Sequence, residues 1–193
     1  MLKRLQSLIH QHHPDTLAHS RRVSLYASMI AGSICNDSEM QDRTVRSAAI
    51  HDIGKLYIPA EILNKPRELD TRERVMICSH AHSGYNILNQ AGGLKVLAEP
   101  VLHHHERFDG SGYPFGLSGQ SIPLESRIIS VADTFDALTS ERNYNTQMSQ
   151  GEALAEITYQ SGKMFDPEVV YHFHMIVKEM MRTHGVFNHL AVH

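Results

Sequence analysis

The chain has 193 residues, 41% of them hydrophobic and 20% charged, which is typical of one globular domain with a sizeable core. Its formal net charge of -3 argues against a binder of polymeric nucleic acid, because such proteins are usually basic. It has no apolar run long enough for a membrane span, no signal-peptide pattern and no CxxC pairing of its two cysteines, so we expect a cytoplasmic protein.

The first two predicted helices lie before residue 35. Residues 1–14 form either a native capping helix or the stub of a coil that leads from an upstream region, and residues 15–193 form the main domain. Pro14-Asp15 opens the second helix, because apolar residues then recur at the spacing of one helix face. That face is predicted to carry His19, Val23, Tyr26 and Ile30.

Two polar motifs predict where the next helices start. Ser38 with Gln41 resembles a capping box, and the helix after it is expected to continue through His51. Asp70 with Glu73 is a second capping-box pattern, and it predicts another helix start.

The C-terminal half is predicted to be helical as well. A helix over residues 94–106 is expected to be kinked or split at Pro100 and to end in the Gly- and Pro-rich stretch 109–119. Further helices are predicted to begin at Pro123, Ser149 and Asp166. No segment alternates like a strand, so the sequence predicts a single all-α domain with a helical-bundle architecture.

Histidines and carboxylates recur on separate predicted helices. Buried polar groups destabilise a bundle unless they are satisfied, and metal ligation is one way to satisfy them. Nitrogen and oxygen ligands without thiolate favour iron, manganese or nickel, and two ions about 3.5–4 Å apart can activate water for phosphoryl displacement. These histidines and carboxylates are His19, His51, Asp52, His80, His104, His105 and Asp133, and Lys55 lies one helical turn after His51 and Asp52.

The residue spacing alone leaves two readings open. Because adjacent residues on a helix point about 100° apart, His51 and Asp52 are expected to face neighbouring ions. A single buried histidine, however, is more often a hydrogen-bonded core residue than a ligand.

Five segments of the chain resemble the HD-GYP family, a branch of the HD-superfamily phosphohydrolases. They read HDIGK (51–55), HAHSGYNIL (80–88), HHERFDGSGYPFGLSGQSIPLESRI (104–128), VADTFDALTSERNY (131–144) and FDPEVV (165–170). The resemblance implies an HD-type helical domain with a Gly- and Pro-containing GYP loop. It also implies a metal-dependent phosphodiesterase of bacterial second-messenger signalling, which hydrolyses cyclic di-GMP to the linear dinucleotide and then to GMP.

The resemblance also implies a binuclear metal centre, with two divalent ions that are Fe or Mn, or alternatively Ni. Asp52 is expected to bridge the ions, and His80 is preferred to His82 because the family's ligand precedes the motif glycine, here Gly84, by four residues. Some relatives hold a third metal through a glutamate, and the shorter Asp15 at that position favours two ions. The implied ligands are His19, His51, Asp52, His80, His104, His105 and Asp133.

Substrate contacts follow from the same resemblance. Asp52 and Lys55 are the implied catalytic residues, with Lys55 on the scissile phosphate. The implied substrate-binding residues are Gly110, Gly112, Tyr113 and Arg142.

Two positions depart from the family pattern. Phe108 stands where tryptophan is usual, which keeps an apolar ring. Asn145 stands where a basic residue is common, so the choice of dinucleotide is open.

Two alternatives to cyclic di-GMP hydrolysis remain. The chain could bind a cyclic dinucleotide or a signalling protein without turnover, or it could hydrolyse a different cyclic dinucleotide. A homodimer is a further expectation, with Met180 and Met181 on an exposed face, and His103 is expected at the surface or behind the ligands.

Overall fold

The computed structural model of the chain describes residues 1–65, 68–140 and 147–190, with the backbone alone at 14–15 and 184–190. Apart from a single bridge between Ser161 and Phe165, these ranges contain no β-structure, which confirms the all-α prediction. None of their helices is long and apolar enough to cross a membrane. The helices are α1 (Leu2–His12), α2 (Pro14–Ile34), α3 (Ser38–Ala48), α4 (Ala60–Leu63), α5 (Thr71–Cys78), α6 (His80–Gln90), α7 (Ala98–Leu102), α8 (Leu124–Thr139), α9 (Gln150–Tyr159) and α10 (Pro167–Leu190).

Capping residues set several helix starts. The predicted capping box is confirmed for α5, where Asp70 pairs with Glu73. The predicted start of α9 at Ser149 is confirmed as well, with a capping box between Ser149 and Glu152. The box predicted at Ser38 is wrong, because Asp37, one residue earlier, accepts hydrogen bonds from the backbone N–H groups of residues 39 and 40. Gln41 instead donates its side-chain amide to the Cys35 carbonyl at 2.7 Å.

Two predicted helices are shorter than expected. α3 ends at Ala48, so His51 and Asp52 lie in a turn, followed by a 3₁₀ turn over Ile53–Tyr57. In place of the predicted helix over residues 94–106, a 3₁₀ turn over Lys95–Leu97 is followed by α7 from Ala98, with Pro100 in its first turn. Proline fits the first turn of a helix because its missing N–H has no intrahelical acceptor at that position.

The main core lies between α2, α8, α9 and α10. On the predicted stripe of α2, His19, Val23 and Ile30 are buried, and Tyr26 is partly buried against the same core. Phe135 of α8 packs edge-on against Phe173 of α10, with ring centroids 4.9 Å apart. Each such side chain stabilises the fold by about 1.5–3 kcal/mol.

A second core joins α1, α6, α7 and the 3₁₀ turn after Asp52. It contains Ile9, Ile53, Leu88 and Val101, all of which are buried. Helices of the first core carry His19 and Asp133, and elements of the second carry Asp52 and His80. The ligand-type residues therefore converge where the two cores meet.

A close glycine contact brings the 3₁₀ turn against α6. A methyl group added at Gly54 would lie 1.9 Å from the His80 carbonyl oxygen and 2.6 Å from the Gly84 backbone nitrogen. Only a residue without Cβ allows this approach, which sets the separation between Asp52 and His80.

We expect Gly54→Ala to lower the free energy of unfolding by about 1–3 kcal/mol or more, because the turn and α6 must separate. Urea unfolding measures this change. The matched control is Gly32→Ala in α2, where an added Cβ meets no atom within 4 Å and helix propensity predicts a gain of up to about 1 kcal/mol. Equal stability of the two variants would contradict the close-approach explanation.

Candidate metal centre and GYP loop

Six ligand-type side chains form two adjacent groups of three. In each group the nearest ligand atoms all lie within 4.8 Å of one another. The first group is His19, His51 and Asp133, and the second is His80, His104 and His105. Because they come from α2, α6, α8 and two turns, tertiary packing rather than local sequence brings them together.

Asp52 lies between the two groups. Its Oδ2 atom is 3.5 Å from Nε2 of His51 and 3.9 Å from Nε2 of His19. Its Oδ1 atom is 3.5 Å from Nε2 of His80, in the second group. One carboxylate oxygen therefore faces each group, which is the arrangement of a bridging ligand.

Three of the histidines are oriented by the same local device. The Nδ1 atoms of His51, His80 and His104 each lie within 2.8 Å of the carbonyl oxygen three residues earlier. A carbonyl only accepts hydrogen bonds, so each Nδ1 carries a proton and Nε2 is the ring atom left to offer a lone pair to a cation. Two of these carbonyls belong to the last residues of helices, Ala48 in α3 and Val101 in α7.

The Nε2 atoms suit a cation. Those of His80 and His104 are 3.2 Å apart, and with both Nδ1 atoms protonated, two lone pairs face each other. Nε2 of His51 is buried and has no hydrogen-bond partner. A divalent ion in each group would relieve both situations, so the residues fit metal binding.

The pKa shifts favour the protonation states in which most of these groups can bind a metal ion. Burial lowers the pKa of His80 and His104, and it lowers the pKa of His105 to about 3. Burial opposes ionisation of Asp52, but Lys55 and the nearby histidines hold the pKa of its carboxyl well below the usual range. These imidazoles are therefore neutral and this carboxylate is charged near neutral pH.

His19 is the exception, because it is held between two carboxylates. Its Nδ1 is 2.7 Å from Asp136 and its Nε2 is 3.0 Å from Asp133. Burial disfavours the charge, but the hydrogen bonds to both carboxylates outweigh it and raise the pKa of His19 to about 9. A metal ion at this group must displace that proton.

Sequence reasoning missed Asp136, which is buried and orients His19. Arg22 donates to both Asp136 oxygens, at 2.5 and 3.0 Å, and to the Ser140 hydroxyl at 3.0 Å. The sequence contained one signal for the role of Asp136. Asp136 lies three residues after Asp133, and Arg22 lies three residues after His19, so each pair shares one face of its helix.

The GYP loop (residues 109–119) lies against the second group. The Tyr113 ring stacks on His105 at 4.8 Å between centroids, and its backbone N–H donates to the His105 carbonyl at 3.2 Å. A Cβ at Gly112 would lie 2.3 Å from the Arg107 nitrogen, and Gly110 has a φ of 83°. Both glycines therefore permit the backbone path that brings Tyr113 to the ligand-type histidines.

The remaining predicted residues are placed as follows. Nζ of Lys55 lies 2.6 Å from Asp52 Oδ2. His82 is exposed, in agreement with the preference for His80. His103 is buried outside both groups, with Nε2 3.2 Å from Glu99. The side chain of Asp15 and the residues Arg142 and Asn145 lie outside the described part of the chain.

Comparison with known proteins matches residues 3–169 to the HD domain family. The cyclic di-GMP phosphodiesterase response regulator RpfG of Xanthomonas campestris pv. campestris (strain 8004) is 42% identical over 172 residues, which is 88% of this chain and 45% of that protein. The 3'3'-cGAMP-specific phosphodiesterase 2 of Vibrio cholerae is 37% identical over 158 residues, 81% of this chain and 30% of that protein. The chain thus spans less than half the length of these relatives.

A solved structure has the same fold. Bd1817, an HDG"Y"P protein from Bdellovibrio bacteriovorus, superposes with a TM-score of 0.67 at 17% identity, over 84% of this chain and 52% of that one.

Proposed function

Because the chain belongs to the HD domain family, where it resembles the HD-GYP branch, we propose that it is a metal-dependent phosphodiesterase for a cyclic dinucleotide. Cyclic di-GMP is the first candidate substrate, with the linear dinucleotide and then GMP as products. The observation that carries this proposal is Asp52, which directs one carboxylate oxygen to each of two ligand groups.

The cofactor proposed is a pair of divalent ions, Fe or Mn, with Ni as the alternative. Imidazole and carboxylate ligands without thiolate suit these metals. When bound, such ions supply activated water and neutralise charge on phosphoryl oxygens.

Lys55 supplies positive charge beside this centre. Its ammonium group forms an ion pair with Asp52, and its side chain is 27% exposed. The ammonium group can therefore also reach a phosphate that approaches from solvent. A non-bridging phosphoryl oxygen gains negative charge during displacement, and a preorganised ammonium stabilises that charge.

Tyr113 supplies a neutral hydrogen-bond donor. Burial raises the pKa of its phenol above the ordinary value of 10, and contact with Cys78 adds to the shift. The hydroxyl therefore keeps its proton and can donate to a phosphate or a base. We assign substrate contacts to Gly110, Gly112 and Arg142 on the family resemblance.

The identity of the bases is the finer part of the proposal. The name of one relative specifies cyclic di-GMP and that of the other specifies 3'3'-cGAMP. Asn145 stands where the family resemblance implies a basic residue, so the choice of dinucleotide stays open and a different cyclic dinucleotide is the second candidate.

Anaerobic purification with manganese or ferrous iron, followed by assays on cyclic di-GMP, 3'3'-cGAMP and cyclic di-AMP, tests the function. We expect about two ions per chain and product formation that stops on chelation. Bis(p-nitrophenyl) phosphate serves as a small diester that needs only the metal centre. Tight binding of a cyclic dinucleotide without product would support the non-hydrolytic alternative instead.

A further inference from the structure

Glu106 is a buried carboxylate next to the ligands His104 and His105, and the mechanism above does not use it. It is 2% exposed. Its Oε1 accepts a hydrogen bond from the Phe115 backbone N–H at 2.8 Å, and its Oε2 accepts one from the Leu117 N–H at 3.1 Å. Each oxygen is therefore assigned to a different residue of the GYP loop.

The two ends of the loop are held by backbone contacts. Phe108 and Asp109 donate their N–H groups to the carbonyls of Met164 and Lys163, and Gly119 donates to the Phe108 carbonyl. Between these anchors, the segment after Tyr113 turns back over Glu106. The Glu106 carboxylate thus holds the middle of the loop, at residues 115 and 117.

The segment held by Glu106, together with Tyr113 just before it, places two aromatic rings beside the histidines. Tyr113 stacks on His105, and Phe115 is 61% exposed with its ring 5.7 Å from His103. A buried charged acceptor with two N–H donors is a strong and directional pair of hydrogen bonds. The position of these rings relative to the ligands therefore depends on Glu106.

We propose that Glu106 is a positioning residue, which ties the ligand pair His104–His105 to the GYP loop and so sets the loop for capture of the cyclic dinucleotide. It acts through the backbone of residues 115 and 117 and touches neither metal nor substrate. This inference rests on the proposed function, because it names the part of that site that captures substrate.

The test uses Glu106→Gln in the manganese-loaded full chain. The amide keeps one acceptor and turns the other atom into a donor that faces an N–H group, so one clamp is lost at constant volume. We expect KM for cyclic di-GMP to rise about 10- to 100-fold, with kcat and the metal content nearly unchanged. Turnover of bis(p-nitrophenyl) phosphate, which is too small to need the loop, should stay at the wild-type rate.

Two further variants complete the design. Glu125→Gln is the matched control, because Glu125 is also buried, at 7% exposure, and accepts a hydrogen bond from Arg43 away from the ligands. It should leave both substrates unaffected. Glu106→Asp keeps the charge but is one methylene shorter, and we expect a smaller rise in KM in the same direction.

An unchanged KM for cyclic di-GMP in both Glu106 variants would overturn the inference alone. So would a parallel loss of bis(p-nitrophenyl) phosphate turnover or of metal, since that indicates a general structural role. A wild-type chain that cleaves the small diester but neither binds nor cleaves any cyclic dinucleotide would overturn the proposed substrate and this inference together.

Discussion

Replacing Asp52 with alanine is expected to abolish hydrolysis. The substitution removes the one carboxylate whose two oxygens face both ligand groups, and it leaves Lys55 without its partner at 2.6 Å. We expect kcat/KM to fall about 10³-fold or more. Removal of a single preorganised group that stabilises charge costs up to about 10³-fold, and Asp52 faces both ligand groups. Metal content should fall with it.

Hydrolysis assays on cyclic di-GMP with elemental analysis of the same sample measure both effects. Asp42→Ala is the control, because Asp42 is exposed on α3 and pairs with Arg46 at 3.0 Å. Such a surface pair contributes about 0–1 kcal/mol, so activity should remain. Near wild-type turnover by Asp52→Ala after full chelation would show that the mechanism is wrong.

Metal affinity at the His19 group is expected to rise steeply with pH. The pKa of His19 is raised to about 9, although burial works in the opposite direction, because it is hydrogen-bonded to Asp133 and Asp136. Below this pKa each metal ion must displace one proton, so affinity should rise about tenfold per pH unit, or about 100-fold between pH 6 and pH 8.

The second group should behave differently. The pKa values of His80, His104 and His105 are lowered by burial, so these imidazoles carry no proton to release over the same range. Manganese titrations by calorimetry in two buffers of different ionisation enthalpy should give about one proton for one ion and none for the other. Equal proton release for both ions would contradict the assignment.

Asp136→Asn separates the charge of Asp136 from its hydrogen bond. The amide oxygen can still accept from Nδ1 of His19, but without the negative charge the pKa of His19 should fall towards 6.5. Proton release should then shift to lower pH, and the rise of manganese affinity with pH should level off at a lower pH than in the wild-type chain. An unaltered pH profile in this variant would exclude Asp136 as the cause of the shift.

The family resemblance assigned functional residues that no local pattern explains. Spacing alone could not separate a metal ligand from a buried core histidine, since both favour an inward position on a helix. The family resemblance implied seven ligands, and the structure brings six of them into two groups with Asp52 between them. The family fold is confirmed, and the ligand roles remain predictions for the metal titrations.

The sequence by itself determined the helices and several of their starts, because helix periodicity and caps such as Asp70 with Glu73 depend on residues a few positions apart. It also determined the motif that marks the family. The tertiary structure alone decided that His51 and His104 lie in turns, that backbone carbonyls fix their tautomers, and that Glu106 and Asp136 serve the site. The carbonyls that accept from His51 and His104 lie only three residues away, but where α3 and α7 end depends on tertiary packing. The contact of Asp136 with His19 joins two distant helices, so the partner of that buried charge is set by how helices pack and not by its sequence neighbours.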